Sequence, residues 1–206
     1  MLTIWGRANS SNVMKVVWLC EELAVPYQRI DAGGAFGRTR DADYLAMNPN
    51  ATVPTIVEAD GFTMWESNTI LRYLCATQGG SSLHPVDPRA RADAERWMDW
   101  QQASLNAPMT TIFFTYVRTP KDQRDWTATH AARDRAEALW AMVDAALAGQ
   151  DHVAGGFGLA DIALGPYLHR WFQLPITRAP MPALEAWYQR LLKRPAFRAH
   201  VAVEMS

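Results

Sequence analysis

The sequence predicts a small α/β domain followed by an all-α helical bundle, and three observations predict it. Up to about Gln78 short apolar runs alternate with amphipathic stretches; beyond Gln78-Gly79-Gly80-Ser81-Ser82 and the Pro85 and Pro88 pair, the apolar pattern repeats at helical spacing almost to the end. The chain has 206 residues, 49% of them hydrophobic and 20% charged, which is long enough for two compact cores and too apolar for a disordered chain. Nine tryptophans point to large helix–helix contacts or an aromatic-walled pocket. We therefore expect one domain over 1–79 and a helical domain over 88–206.

Leu2-Thr3-Ile4-Trp5 reads as a strand closed by Gly6. Asn12 to Leu23 reads as a helix, because Val13, Val16, Val17, Leu19, Cys20 and Leu23 recur at helical spacing behind a polar cap. Val25-Pro26 ends it and Tyr27 to Ile30 forms a second strand. A Gly-rich loop over Asp31 to Arg40 leads to a short helical segment at Tyr44–Met47. Thr55-Ile56-Val57 and Phe62-Thr63-Met64 flank Asp60-Gly61, a dipeptide that favours a tight hairpin. Ser67 to Ala76 is helical, with Ser67 its natural N-cap. A right-handed β-α-β crossover followed by a hairpin gives a four-stranded mixed sheet. Helices are then expected over Arg89 to Val117, Asp122 to Leu147, Leu159 to Phe172 and Leu184 to Leu192, with a last turn or two over Phe197 to Val203.

Charge and motif content exclude several function classes. Twenty Lys and Arg oppose 21 Asp and Glu, for a net charge of −1, so the basic excess of a nucleic-acid partner is lacking. No apolar stretch is long enough to span a bilayer, and Met1-Leu2-Thr3-Ile4-Trp5 carries no charged leader, so neither a membrane nor a secretory route is expected. Two cysteines, Cys20 and Cys75, suit a reducing cytoplasm and sit on apolar helix faces. The His and Cys spacing fits no metal site, and no phosphate-binding glycine motif or Gly-x-Ser-x-Gly occurs.

Three stretches can carry chemistry. Arg7-Ala8-Asn9-Ser10-Ser11-Asn12 lies between the first strand and the first helix, where free N–H groups and the positive end of the helix dipole face one spot. An anion or thiolate held there would be stabilised, although helix capping alone needs one of these residues. Asn48-Pro49-Asn50-Ala51-Thr52-Val53-Pro54 precedes a strand; an ordinary trans Val53-Pro54 bond is the default, whereas a cis bond would turn the Val53 backbone outward to pair with an extended peptide. Glu66-Ser67 follows the hairpin: Ser67 and the N–H groups behind it can receive a carboxylate, and Glu66 can accept from an ammonium. One ligand bearing both signs, such as the α-amino-acid end of a peptide, reconciles the two.

Together these stretches resemble a cytosolic glutathione transferase over essentially the whole chain, most closely the bacterial serine/asparagine-type, theta- and beta-like members. The resemblance implies an α/β thioredoxin-like N-terminal domain, an all-α helical-bundle C-terminal domain and a cytoplasmic homodimer. It implies that glutathione is the co-substrate, with no metal. It carries Val53-Pro54 over as the cis pair that clamps the cysteinyl backbone, Glu66 and Ser67 as the γ-glutamyl site, and Ser10 as the hydroxyl that stabilises the thiolate, assisted by Asn12 or Ser11. Asn12, Val13, Lys15 and Val16 match a bacterial subgroup in which Asn shares that role. Leu159-Ala160-Asp161-Ile162-Ala163 matches the family's helix-start motif, where Asp161 is structural. Two departures stand out. Asn50 and Thr52 replace the stronger partners usual before Val-Pro, and Gly158 stands where the family has Ser or Thr. Met109, Phe113, Phe114 and Tyr116, after Pro108 on the long helix, are expected to wall a pocket for a small hydrophobic electrophile or peroxide. A zeta-like isomerase, echoed by Ser10-Ser11 but with Asn12 in place of its Cys, and a non-catalytic module on the same fold are the alternatives.

Overall fold

The computed structural model describes residues 1–206. Strand β1 (Leu2–Trp5) buries Leu2 and Ile4 and half-buries Thr3 and Trp5, so the alternation read in the sequence is the pleat of the sheet. Helix α1 (Ser11–Glu22) returns the chain to β2 (Tyr27–Ile30), which pairs parallel to β1 with Leu2 opposite Tyr27. After α2 (Ala42–Met47), β3 (Thr55–Val57) pairs antiparallel to β1 and β4 (Thr63–Trp65) antiparallel to β3. The order is β2-β1-β3-β4. The fourth strand starts one residue later than the sequence suggests. The turn takes up Phe62, whose carbonyl accepts from Glu58 N–H at 2.9 Å while its own N–H reaches Asp60 Oδ1 at 3.0 Å.

Helix α3 (Ser67–Thr77) corrects a second expectation. Its cap position is Glu66, held at φ 72°, and Ser67 is the first helical residue, so the Ser67 hydroxyl is not used as a cap.

The second domain is helical. Asp87 caps α4 (Pro88–Trp100), accepting from Arg89 and Ala90 N–H at 3.1 and 2.9 Å. The long helix expected over 89–117 runs on without a break in direction of the chain but changes winding twice. A π-helical segment, Gln101–Leu105, leads into α5 (Asn106–Phe113), and a second, Phe114–Arg118, follows it. Helix α6 (Trp126–Ala146) begins four residues after the expected Asp122, because Lys121–Gln123 form a separate 3₁₀ turn and Asp125 is the residue that caps, accepting from Ala128 N–H at 2.9 Å. Helices α7 (Leu159–Gln173), α8 (Pro182–Leu191) and α9 (Pro195–His200) complete the bundle, with α7 buried along almost its whole length.

Helix α1 joins the two domains. Trp18 is fully buried against Phe197 of α9, at 4.9 Å between ring centroids, and against Gly165 of α7. A Cβ at Gly165 would fall 2.5 Å from the Trp18 ring, so only glycine lets the helices approach this closely. At the end of α1, Glu22 accepts from Trp18 Nε1 at 2.8 Å and from Arg194 Nε and Nη2 at 2.9 and 2.6 Å.

Candidate functional site

The β1–α1 turn sits where the two domains meet. Ser10 occupies the N-cap position of α1 with extended backbone (φ −86°, ψ 123°), and its side chain makes no cap hydrogen bond. The capping reading of this serine is therefore not realised. Its hydroxyl finds no partner in the protein although the residue is only 7% exposed. An unused donor at a helix N-terminus, beside unpaired N–H groups of the first turn, is a local preference for negative charge.

Ser11 is committed to the fold. Its Oγ accepts from Arg170 Nη1 at 3.4 Å, and Arg170 Nη2 holds the Asn9 carbonyl at 3.2 Å, so α7 fixes the turn from behind. Asn12 is oriented from both domains. Its Oδ1 accepts from Ser67 Oγ at 3.3 Å and lies 3.5 Å from the Tyr167 hydroxyl, which itself bonds Asn106 Oδ1 at 2.8 Å. With the oxygen held, the Asn12 amide nitrogen is left as a donor without a protein partner.

Across the turn, the Val53-Pro54 bond is cis. The backbone N–H and carbonyl of Val53 pair with nothing in the protein. Its side chain crowds Gly6 and Gly33, where a Cβ would come within 3.2 Å of it, so Val53 lies next to the β1–α1 turn. The Asn50 and Thr52 side chains are exposed; Asn50 is turned onto Asn48 Oδ1 through its N–H and Nδ2 at 3.0 and 3.1 Å. The Thr52 carbonyl is held by the Tyr44 hydroxyl at 2.6 Å and Asn48 Nδ2 at 3.0 Å, which anchors the segment leading to Val53.

At the start of α3, the exposed Glu66 carboxylate has no hydrogen-bond partner, while Ser67 is buried. Beneath them lies Lys15, fully buried, a residue whose role the sequence reading missed. Its Nζ donates to Gln101 Oε1 at 2.7 Å, Asn68 Oδ1 at 3.2 Å and Ser67 Oγ at 3.5 Å, with the Tyr167 ring centroid 5.3 Å away. Three acceptors match three ammonium protons. Burial lowers this lysine to about 7, opposed by the charge of Glu66. The signal was present: a lone lysine inside Val13-Met14-Lys15-Val16-Val17-Trp18 has no solvent face to occupy.

The four residues expected to wall an electrophile pocket lie in different surroundings. Met109 and Phe113 are 1% and 3% exposed and pack inward, and the Phe113 ring is covered by Arg170 at 3.8 Å. Phe114 is half-exposed, and Tyr116 is half-buried against Trp126. Burial pushes the Cys20 and Cys75 thiols up to about 12, so neither supplies a thiolate near neutral pH. No helix is long and apolar enough to cross a membrane.

Comparison with known proteins places this geometry in context. The model for the glutathione S-transferase N-terminal domain matches residues 9–77, and that for the C-terminal domain matches residues 105–195. Glutathione S-transferase GstB of Escherichia coli K12 is 44% identical over 208 residues, covering 100% of both chains. Glutathione S-transferase D7 of Drosophila melanogaster is 31% identical over 73% of this chain and 66% of its own. The crystal structure of a theta class glutathione S-transferase from Xanthomonas axonopodis pv. citri with glutathione bound superimposes with a TM-score of 0.96 at 43% identity, over 100% of this chain and 99% of that one.

Proposed function

The chain belongs to the glutathione S-transferase family and is a glutathione transferase; from that premise we propose that the β1–α1 turn ionises the glutathione thiol with neutral donors alone. The observation that carries this is the Ser10 hydroxyl, sheltered, at the head of α1 and without a partner. The Xanthomonas relative was crystallised with glutathione bound. In this chain the unpaired backbone of Val53 is suited to pair with the cysteinyl unit, and Glu66 and Ser67 with the γ-glutamyl ammonium and carboxylate. Asn50 and Thr52 border that groove; the Thr52 carbonyl already serves the fold, which leaves Val53 as the main backbone contact.

The magnitudes suffice. A free thiol has a pKa near 8.5, so about 3% is thiolate at pH 7. Lowering it by two units takes about 2.7 kcal/mol of preferential stabilisation. A hydroxyl bonded to an anion contributes roughly 1.5–3 kcal/mol, and a helix N-terminus about 0.3–1, up to about 2 when sheltered. Ser10 donates to sulfur, the Asn12 amide or the Ser11 N–H assists, and the thiol proton leaves to water. Beside Phe114 and Tyr116 the thiolate attacks an electrophilic carbon, whose leaving group departs with the bonding pair, or a peroxide oxygen, where the O–O bond breaks to give the sulfenic acid of glutathione and an alkoxide that takes a proton from water. Exposed apolar side chains at the β4 edge of the sheet, Trp65 on the strand at 38% and Phe62 in the turn before it at 42%, support a homodimeric assembly, and the chain's two buried cysteines suit a cytoplasmic setting.

Absorbance of bound thiolate against pH, in Ser10→Ala, Asn12→Ala and the double variant, tests the assignment. We expect the glutathione pKa to return towards 8.5 in the double variant, with conjugation falling in parallel. Full turnover of generic electrophiles by the double variant would overturn it.

A further inference from the structure

We infer that Lys15 is a specificity-determining residue of the glutathione site, its buried ammonium serving as counter-charge to the α-carboxylate of the γ-glutamyl unit. The inference rests on the glutathione transferase reading above and deepens it at that end of the tripeptide. Lys15 is fully buried, and its Nζ donates to three neutral oxygens, on Gln101, Asn68 and Ser67, at 2.7, 3.2 and 3.5 Å. No carboxylate of the protein pairs with it; these neutral acceptors are all it has. Of the ionisable groups around it, Tyr167 on α7 presents its ring at 5.3 Å, and Glu66 stands exposed at the head of α3. The Gln101 amide that holds Lys15 is itself buried with Nε2 lacking any acceptor, so no protein anion answers this cluster from the helical domain either.

Burying a cation away from any anion is destabilising, and an apolar side chain such as those of the neighbouring Val16 and Val17 would avoid that. The position therefore points to an anion that arrives with the ligand. The γ-glutamyl unit is a zwitterion. Glu66 offers its ammonium a full opposite charge, whereas its carboxylate meets only neutral donors: Ser67 and the N–H groups at the head of α3, which no carbonyl of that helix can reach. Lys15 supplies the missing sign. A carboxylate oxygen bonded to Ser67 Oγ at about 2.7 Å stands no more than about 6 Å from the ammonium, close enough for opposite charges to favour one another inside a protein. Ser67 can serve both. Its oxygen accepts from Lys15, while its proton, given to Asn12 Oδ1 at 3.3 Å, turns to the stronger anionic acceptor and leaves Asn12 Oδ1 to the Tyr167 hydroxyl at 3.5 Å.

Two ligands that differ by one carboxylate test this. S-methylglutathione has no thiol to ionise; its analogue with a 4-aminobutyryl group in place of γ-glutamyl lacks only the α-carboxylate. Both are titrated into the protein by calorimetry at about pH 6, below the value of about 7 at which Lys15 sheds its proton. We expect the wild type to prefer the carboxylated ligand, and that preference to fall at least about tenfold in Lys15→Met. Gln101→Glu keeps the lysine and gives it an anion inside the protein, and a fall of the same sense is expected there. A lysine that only supports the fold changes the affinity of both ligands alike and leaves their ratio as in wild type. An unchanged ratio in either folded variant would overturn the inference while leaving the transferase reading intact; should Lys15→Met not fold, Gln101→Glu decides alone. Failure of the wild type to bind S-methylglutathione would instead remove the reading on which it rests.

Discussion

Ser10 separates a structural from a chemical use of one hydroxyl. A serine at an N-cap usually stabilises its helix by about 1 kcal/mol, but this one makes no cap bond. Ser10→Ala is therefore expected to leave the urea midpoint almost unmoved, within about 0.5 kcal/mol, while raising the pKa of bound glutathione by about one to two units. A stability loss of normal capping size, with an unchanged thiol pKa, would contradict that assignment. Ser10, Asn12, Val53, Glu66 and Ser67, the residues we propose for the site, could be singled out from residue type because each stands at the edge of an element, where backbone groups are unpaired. Lys15 and Arg170 could not, because their meaning depends on partners 52 to 161 residues away in the chain. Tyr167 and Gln101 are of the same kind: apolar periodicity assigns them to helices without revealing that both point at α1.

The N-terminus of α7 shows what an element demands of its cap. Asp161 is fully buried, with Oδ2 accepting from Gly158 N–H at 3.0 Å and Oδ1 bonded to Trp187 Nε1 at 2.8 Å and His152 Nδ1 at 2.9 Å. Asp161→Ala leaves three polar groups, two of them buried, without their partner, and we expect a loss of about 3 kcal/mol in chemical denaturation. Gly158 departs from the Ser or Thr that the resemblance implies, and the reason is contact. A Cβ there would lie 2.5 Å from the Leu83 carbonyl oxygen, which accepts from Leu159 N–H at 3.0 Å. Gly158→Ser, nominally a better cap, is therefore expected to destabilise by about 1–3 kcal/mol in the same assay. Composition hides this because Leu83 belongs to the linker, not to the helix it constrains. The two π-helical segments were equally hidden, since their residues keep an apolar pattern close to that of an α-helix. The first matters because it begins at Gln101, the partner of Lys15.

Across the whole molecule, one buried lysine ties the start of α3 to the helical domain. Lys15 lies on α1, and its shortest hydrogen bond reaches Gln101 in the helical domain. Overall architecture was readable because strand–helix alternation and helical periodicity are local properties. This docking was not, since Gly165 against Trp18 and Lys15 against Gln101 require the fold to be known. The lysine also gives stability a specific pH dependence. Burial lowers its pKa from the ordinary 10.5 to about 7. Below pH 7 it is charged in both folded and unfolded chains, and the cost of burying that charge is borne in full. Between about 7 and 10.5 the folded chain has shed this proton while the unfolded chain still holds it, so stability rises with pH. One such proton contributes up to about 1.4 kcal/mol per pH unit. Cys20 and Cys75 titrate in the opposite sense, being raised to about 12 by burial, so the net slope of the native protein is smaller. The difference between wild type and Lys15→Met isolates the lysine. In urea titrations at pH 7, 8 and 9, the wild type should gain stability relative to the variant at each step. A constant difference across that range would show that Lys15 keeps its proton throughout, held by Gln101, Asn68 and Ser67, and that the domains dock around a permanent charge.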